Sequence, residues 1–255
     1  MARGRRADGA APPRGADDGP LVVYGANPVR ELLRSGLAVS RLHLAHGPRA
    51  AELAAAAGQR GLHVEPSDRA TLDRLAGSPH HQGAVALAPG FPYAPLGEVA
   101  RAASPSVLVL DGVQDPRNLG AILRIARATG VGGVVLPRDR SVGITSAVAS
   151  AAAGLLFGLP VARVPNLVRA METLKRAGFW LVGLVPRGGE PLYRLSRPPR
   201  PALVVGGEGE GLRPLVRRTC DFEVSIPMAP GVESLNVAAA TAVALYELVV
   251  RPAPS

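Results

Sequence analysis

The sequence contains one cysteine, Cys220, and one lysine, Lys175. A single cysteine excludes an internal disulfide and any cysteine-based metal site, and no metal is expected. The cytoplasm is the expected compartment. Aromatic residues make up only 4% of the chain, so a core must be built from Ala, Val and Leu. No apolar run is long enough to span a bilayer, and no membrane partner is expected. The charged start, MARGRRADGAAPPRGADDGP, has no apolar segment behind it, which argues against a secretory signal. Apolar residues are plentiful, at 47% of 255 positions. That is enough for one large domain or two modest ones.

Arginine carries nearly all the positive charge, and the formal net charge is +9. Residues 163–218 hold ten Arg and one Lys against four acids, a local excess of +7. Such a concentration suggests a polyanionic partner such as a nucleic acid. A general arginine bias would produce the same count without one. Residues 1–20 show no periodicity and read as a disordered basic tail.

Residues 21–89 alternate short apolar runs with helical stretches, which predicts a small α/β domain. The expected strands are LVVY (21–24), RLHL (41–44), LHVEP (62–66) and GAVALAP (83–89). The expected helices are NPVRELLRSG (27–36), AAELAAAAGQRG (50–61) and SDRATLDRLAG (67–77). Asn27 is the expected cap of the first and Ser67 of the third. HHQG (80–83) falls in a loop with no Asp, Glu or Cys nearby in sequence, a poor metal site. It reads as an RNA contact or as a solvated turn. Residues 90–105 are rich in Pro and Gly and read as a linker with room for a short helix.

Residues 106–251 form a larger α/β unit. Strands are expected at 106–113, 132–137, 159–164, 179–186, from 201 and at 221–228. Helices are expected at 118–130, 144–154, 166–178 and after Asn236. This alternation implies a mostly parallel sheet. Ligands in such sheets bind beyond the carboxyl ends of the strands. Three loops qualify: 114–118, 206–212 and 227–236.

The glycine loop GGEGEG (206–211) does not suit a phosphate. No Gly-Lys-Ser/Thr follows, and the dinucleotide spacing breaks at Leu212. Glu208 and Glu210 would repel a pyrophosphate. The loop reads either as an acidic surface turn or as a cradle for a neutral or cationic ligand such as S-adenosylmethionine. In DPRNLGAILR (115–124), Asn118 reads as part of the helix cap. Arg124 then lies one and a half turns inside, either snorkelling at the surface or placed as a cation. Six residues turn a helix by about 600°, so the two occupy different faces. Ser234 and Asn236 sit where the chain turns into its last helix. Ser234 reads as the N-cap or as a group aimed at a ligand. That helix is apolar on nearly every side and needs packed partners all round. Ser234 lacks a Gly-x-Ser-x-Gly context, so hydrolysis has no support.

NLGAILR (118–124), VVGGEGEGL (204–212) and IPMAPGVESLN (226–236) together resemble, in order and spacing, the three motifs of the SpoU/TrmH branch of the SPOUT methyltransferases. VYGANPVRELL (23–33) and HQGAVA (81–86) resemble the start and end of the L30e-like domain of large-subunit rRNA guanosine 2′-O-methyltransferases. The resemblance implies an α/β SPOUT domain with a parallel sheet and a deep trefoil knot, behind an L30e-like RNA-binding domain. It implies S-adenosylmethionine as cofactor, with Gly206, Ile226 and Leu235 lining its site. Arg124, Asn118, Glu208, Ser234 and Asn236 match the family's polar active-site set. Ribosomal RNA of the large subunit and a second copy of the chain are the implied partners, with the last helix in the dimer interface. Glu233 departs from the small polar residue common at its position. A tRNA ribose methyltransferase, a resistance-type rRNA adenosine methyltransferase and a non-catalytic rRNA-binding assembly factor are the alternatives.

Overall fold

A computed structural model describes residues 19–209 and 211–251. The expected basic tail lies almost wholly outside the described residues.

The first sheet is built from β1 (Leu21–Tyr24), α1 (Ala26–Arg34), β2 (Arg41–Leu44), α2 (Pro48–Gln59), β3 (Val64–Pro66), α3 (Arg69–Ala76) and β4 (Ala84–Ala88). Its order is β1-β4-β2-β3, with β4 antiparallel to both neighbours and β2 parallel to β3. Two expected caps are displaced by one or two residues. Gly25, at φ 98, precedes α1 in place of Asn27. Asn27 is already helical and accepts from Arg30 at 2.6 Å. Asp68, not Ser67, caps α3 by accepting from Thr71 N at 2.8 Å. Ser67 instead meets His43 Nδ1 at 3.1 Å.

His81 is also structural, at 5% exposure. Its Nδ1 accepts from Gly83 N at 3.0 Å, so Nε2 carries the proton and donates to Asp73 at 3.1 Å. The fold therefore brings an acid to HHQG that the sequence places eight residues away. Among the described residues no group of three His, Cys, Asp or Glu could hold a metal.

Residues 90–105 pack rather than hang free. Phe91 and Val99 are buried, the latter in α4 (Leu96–Ala100). Tyr93 accepts from Ile144 N, and Ala94 N donates to Val161 O, both at 2.8 Å.

The second sheet follows: β5 (Val107–Asp111), α5 (Pro116–Ala128), β6 (Val134–Pro137), α6 (Ser146–Ala151), β7 (Val161–Val164), α7 (Leu167–Arg176), β8 (Trp180–Leu184), β9 (Glu190–Pro191), β10 (Pro201–Gly206), α8 (Pro214–Thr219), β11 (Phe222–Ser225) and α9 (Val237–Leu245). Its order is β7-β6-β5-β10-β8-β11-β9, and every pairing is parallel. β5 and β10 are buried at every position. Their unbroken apolar runs suit strands covered on both faces. β10 inserts between β5 and β8, so the order reverses there and opens a crevice at the carboxyl ends. The short β9 and α8 carry too little periodicity to be seen in the sequence.

The two sheets share one apolar cluster that runs from Leu21 to Leu248. Val22 N donates to Ser146 Oγ at 3.2 Å. A Cβ on Gly154 would lie 2.6 Å from Pro28 Cα, so only glycine allows this approach. The predicted face of α5, Leu119, Ile122, Leu123 and Ala126, is fully buried. Its cap is Asp115, which accepts from Arg117 N, so Asn118 lies inside the first turn and is not the cap.

Within one chain α9 is covered on one side only. Ala238, Thr241, Ala244 and Leu245 are buried, while Val243 is 45% and Tyr246 59% exposed. Ala239, Val243, Tyr246 and Val250 are exposed at helical spacing and form one open stripe. No described helix is long and apolar enough to cross a membrane.

Cys220 follows α8. Burial, and then the neighbouring Asp221 carboxylate, push its thiol up to about 12. In the unfolded chain a thiol titrates near about 8.5. The folded value is raised, so the thiol's contribution to stability is complete below the unfolded value. It is lost as pH rises through the window up to about 12. At about pH 8, native protein is expected to resist iodoacetamide and the unfolded chain to react, as read by mass spectrometry. Rapid alkylation of the native protein would refute this.

Candidate active site

The loops at 206–212 and 227–236, with the segment that leaves β8, line a cavity of about 380 Å³ at the carboxyl ends of β8, β10 and β11, and the 114–118 loop stands behind it. That volume is within the usual size range of small-molecule sites. Leu184, Val205, Ile226, Leu235 and Val237 supply apolar wall, and Glu208, Glu233, Ser234 and Asn236 supply polar groups. Gly206 forms part of the floor. A Cβ there would lie 2.1 Å from Gly211 C, because the loop folds back and Gly207 bridges Gly211. A side chain at 206 is therefore excluded, and the backbone itself faces the cavity.

Asn236 is the N-cap of α9, and its side-chain oxygen accepts from Ala238 N at 2.9 Å. Ser234 is exposed and does not cap the helix. The cap falls to Asn236 because it directly precedes the first helical residue, where a short acceptor reaches the free amides. Asn236 Nδ2 donates to Asn118 Oδ1 at 3.0 Å, and Asn118 Nδ2 donates to Glu208 Oε1 at 2.5 Å. One residue from each loop thus joins a single hydrogen-bonded line.

Gly206, Glu208, Ile226, Ser234, Leu235 and Asn236 all line the cavity. Asn118 stands behind it, bonded to two of them. Arg124 is not brought in. It is exposed on α5 and makes no hydrogen bond or ion pair among the described residues. It lies about 9 Å further along the helix axis than Asn118.

The wall after β8, at Leu184, was not picked out from the sequence, and neither were two residues that brace the glycine loop, Asp111 and Arg213. Asp111, at the end of β5, is paired in register with Gly206. Its buried carboxylate accepts from Arg213 N at 2.8 Å and from Arg213 Nε at 2.6 Å. Its carbonyl accepts from Gly207 N at 2.9 Å. Asp111 thereby ties down both ends of the glycine loop. The available signal was a lone acid ending an otherwise apolar strand, VLVLD, since buried charge needs a partner.

Residues 105–246 match the SpoU rRNA Methylase family. The chain belongs to that family. Residues 22–94 of this SpoU family member match a second family, described as RNA 2′-O ribose methyltransferase substrate binding. The chain is 46% identical over 197 residues to a 23S rRNA (guanosine-2′-O-)-methyltransferase, RlmB, of Ralstonia nicotianae, covering 76% of this chain and 79% of the relative. It is 37% identical over 234 residues to a putative TrmH family tRNA/rRNA methyltransferase, YacO, of Bacillus subtilis, covering 89% and 94%. Among solved structures it resembles the SpoU methyltransferase AviRb of Streptomyces viridochromogenes in complex with AdoMet. The TM-score is 0.77 at 27% identity, covering 91% of this chain and 90% of that one. The SpoU/TrmH resemblance drawn from the three loops is borne out.

Proposed function

We propose that this SpoU family protein methylates a ribose 2′-hydroxyl of RNA with S-adenosylmethionine, and that its target is a guanosine of 23S rRNA. The observation that carries the reading is the cavity, a glycine-floored pocket whose wall, among the described residues, holds two carboxylates and no cation. Such a wall repels phosphate and favours a sulfonium. The named activity of the Ralstonia relative and the AdoMet in the AviRb structure support it.

The residues present fit that cofactor. Backbone at Gly206, with Ile226 and Leu235, would hold its adenosyl part, and Glu208 and Glu233 would face its positive charges. When bound, it supplies an electrophilic methyl group. Arg124 stays protonated under nearly all conditions. Its role in this reading is to hold a target phosphate and to stabilise the developing alkoxide. Asn118 fixes Glu208, and Ser234 and Asn236 organise the wall.

The same reading includes a C-terminal trefoil knot, consistent with β10 inserting late between β5 and β8. It divides the chain into an L30e-like RNA-binding domain at 21–89, a connecting segment at 90–105 and a SPOUT domain at 106–251. The cations of 163–218 contribute unequally to RNA affinity. Lys175, Arg213 and Arg217 are already paired with Asp221, Asp111 and Glu223. The salt dependence of binding is therefore expected to be shallower than the residue count implies.

The open stripe on α9 is assigned to a homodimer interface, which would complete the burial that an all-apolar helix requires. Val243→Asp with Tyr246→Asp is expected to give a monomer in sedimentation velocity. An unchanged dimer, or a wild-type protein that is monomeric at high concentration, would overturn the assignment.

The function is tested by mapping 2′-O-methylation on ribosomal RNA with and without the gene, beside calorimetric titration with S-adenosylmethionine. Loss of one guanosine mark on 23S rRNA is expected. Loss on tRNA or at an adenosine would replace the target. Cofactor binding with no methylated RNA of any kind would defeat the enzymatic reading.

A further inference from the structure

The line of hydrogen bonds from α9 to Glu208 has only one consistent direction. Asn236 Oδ1 accepts from Ala238 N and Ala239 N, at 2.9 and 3.4 Å. Those backbone groups can only donate, so the Asn236 amide nitrogen must point the other way. It donates to Asn118 Oδ1, and Asn118 Nδ2 is left to donate to Glu208. The start of a nine-residue helix thus sets the orientation of two amides and ends on a carboxylate that must accept. Glu208 makes no second hydrogen bond to the described residues, and it lines the cavity. One oxygen is therefore held by Asn118, and the other has no hydrogen-bond partner among the described residues.

Methyl transfer to a hydroxyl needs a proton acceptor. Arg124, a permanent cation, cannot be one. Glu233 also lines the cavity, but its segment has no regular structure and its side chain makes no hydrogen bond among the described residues. Nothing there holds it in place. We propose that Glu208 is the general base: its free oxygen takes the proton of the ribose 2′-hydroxyl. The inference rests on the methyl-transfer reading above. In the balanced step, the oxygen–carbon bond forms as the carbon–sulfur bond breaks, the electron pair leaves with sulfur as a neutral thioether, and the hydroxyl proton moves to Glu208. A carboxylate is a weak base toward a free hydroxyl. It suffices here because the proton becomes strongly acidic as the oxygen–carbon bond forms.

Glu208→Gln separates the two roles that Glu208 could have. The glutamine oxygen still accepts from Asn118, so positioning survives, but it cannot take a proton. The variant is expected to bind S-adenosylmethionine more weakly, because the lost carboxylate also faces the cofactor's charge, so turnover is compared at saturating cofactor. It is expected to melt like wild type and to lose about 10²- to 10⁴-fold in single-turnover methylation. Formate is expected to restore part of the rate to Glu208→Ala and to leave wild type unchanged. Near-wild-type turnover by Glu208→Gln at saturating cofactor would overturn the proposal. So would a lack of formate rescue, or a larger loss in Glu233→Gln than in Glu208→Gln. A wild-type protein that methylates no RNA would instead sink the underlying reading.

Discussion

Arg124→Ala is expected to abolish methylation and to leave S-adenosylmethionine binding intact. The side chain is exposed and bonded to no described residue, and it is absent from the cavity wall. Its removal therefore opens no void and breaks no ion pair among the described residues. Surface substitutions of this kind usually change stability by less than about 0.5 kcal/mol. In the proposed role the guanidinium meets charge that develops only as the hydroxyl is activated, so its loss falls on turnover. Removing one such donor from an active site typically costs about 10²- to 10³-fold in rate. The coupled loss of a phosphate contact adds to that. Arg124→Lys is expected to recover little, because an ammonium cannot make the planar two-point contact. Single-turnover transfer of labelled methyl to rRNA, beside calorimetry with the cofactor, checks both halves. Wild-type turnover by Arg124→Ala would remove the residue from the mechanism. A loss of cofactor affinity equal to the loss in rate would assign it to binding.

Asp111→Ala is expected to cost both stability and cofactor affinity. The Asp111 side chain is 0% exposed and faces Arg213 at 2.6 Å, with Arg213 itself 35% exposed. Deleting one partner of a fully buried pair costs about 3–5 kcal/mol. The partial exposure of Arg213 puts the expected loss at the lower end, about 3 kcal/mol. The backbone donor of Arg213 is orphaned as well. The glycine loop then loses one of its two anchors, and a looser loop has to be ordered again on binding, which weakens affinity. Asp111→Asn keeps an acceptor but not the charge and should fall between. Urea unfolding and cofactor titration of both variants test this. Unchanged stability in Asp111→Ala would show that the ion pair contributes nothing net.

Much of the fold was legible because its signals are local. The apolar runs at 107–111 and 201–206 mark strands covered on both faces. The spacing of Leu119, Ile122, Leu123 and Ala126 marks the buried side of α5. The caps were harder, because neighbouring residues with similar side chains compete for the same amides. Asp68 displaced Ser67, Asp115 displaced Asn118 and Asn236 displaced Ser234. In each case the residue immediately before the helix made the bond. The placement of the turn, not the residue type, decided it. The Pro- and Gly-rich stretch 90–105 read as a loose connection by composition, yet Phe91 and Val99 are buried.

The sequence by itself determined the family, the strand–helix alternation and the polar residues worth watching, because three short stretches in a fixed order carry that information. Six of the eight predicted site residues do line one cavity. What it could not supply is how those residues are joined. Asn118 meets Glu208 across 90 positions and Asn236 across 118, and Arg213 reaches Asp111 across 102. The insertion of β10 beside β5 brings the glycine loop to Asn118 and Asp111, and the packing of α9 on α5 brings Asn236. The helix amides that orient the two asparagines, and so aim Glu208, exist only once α9 has formed beside α5.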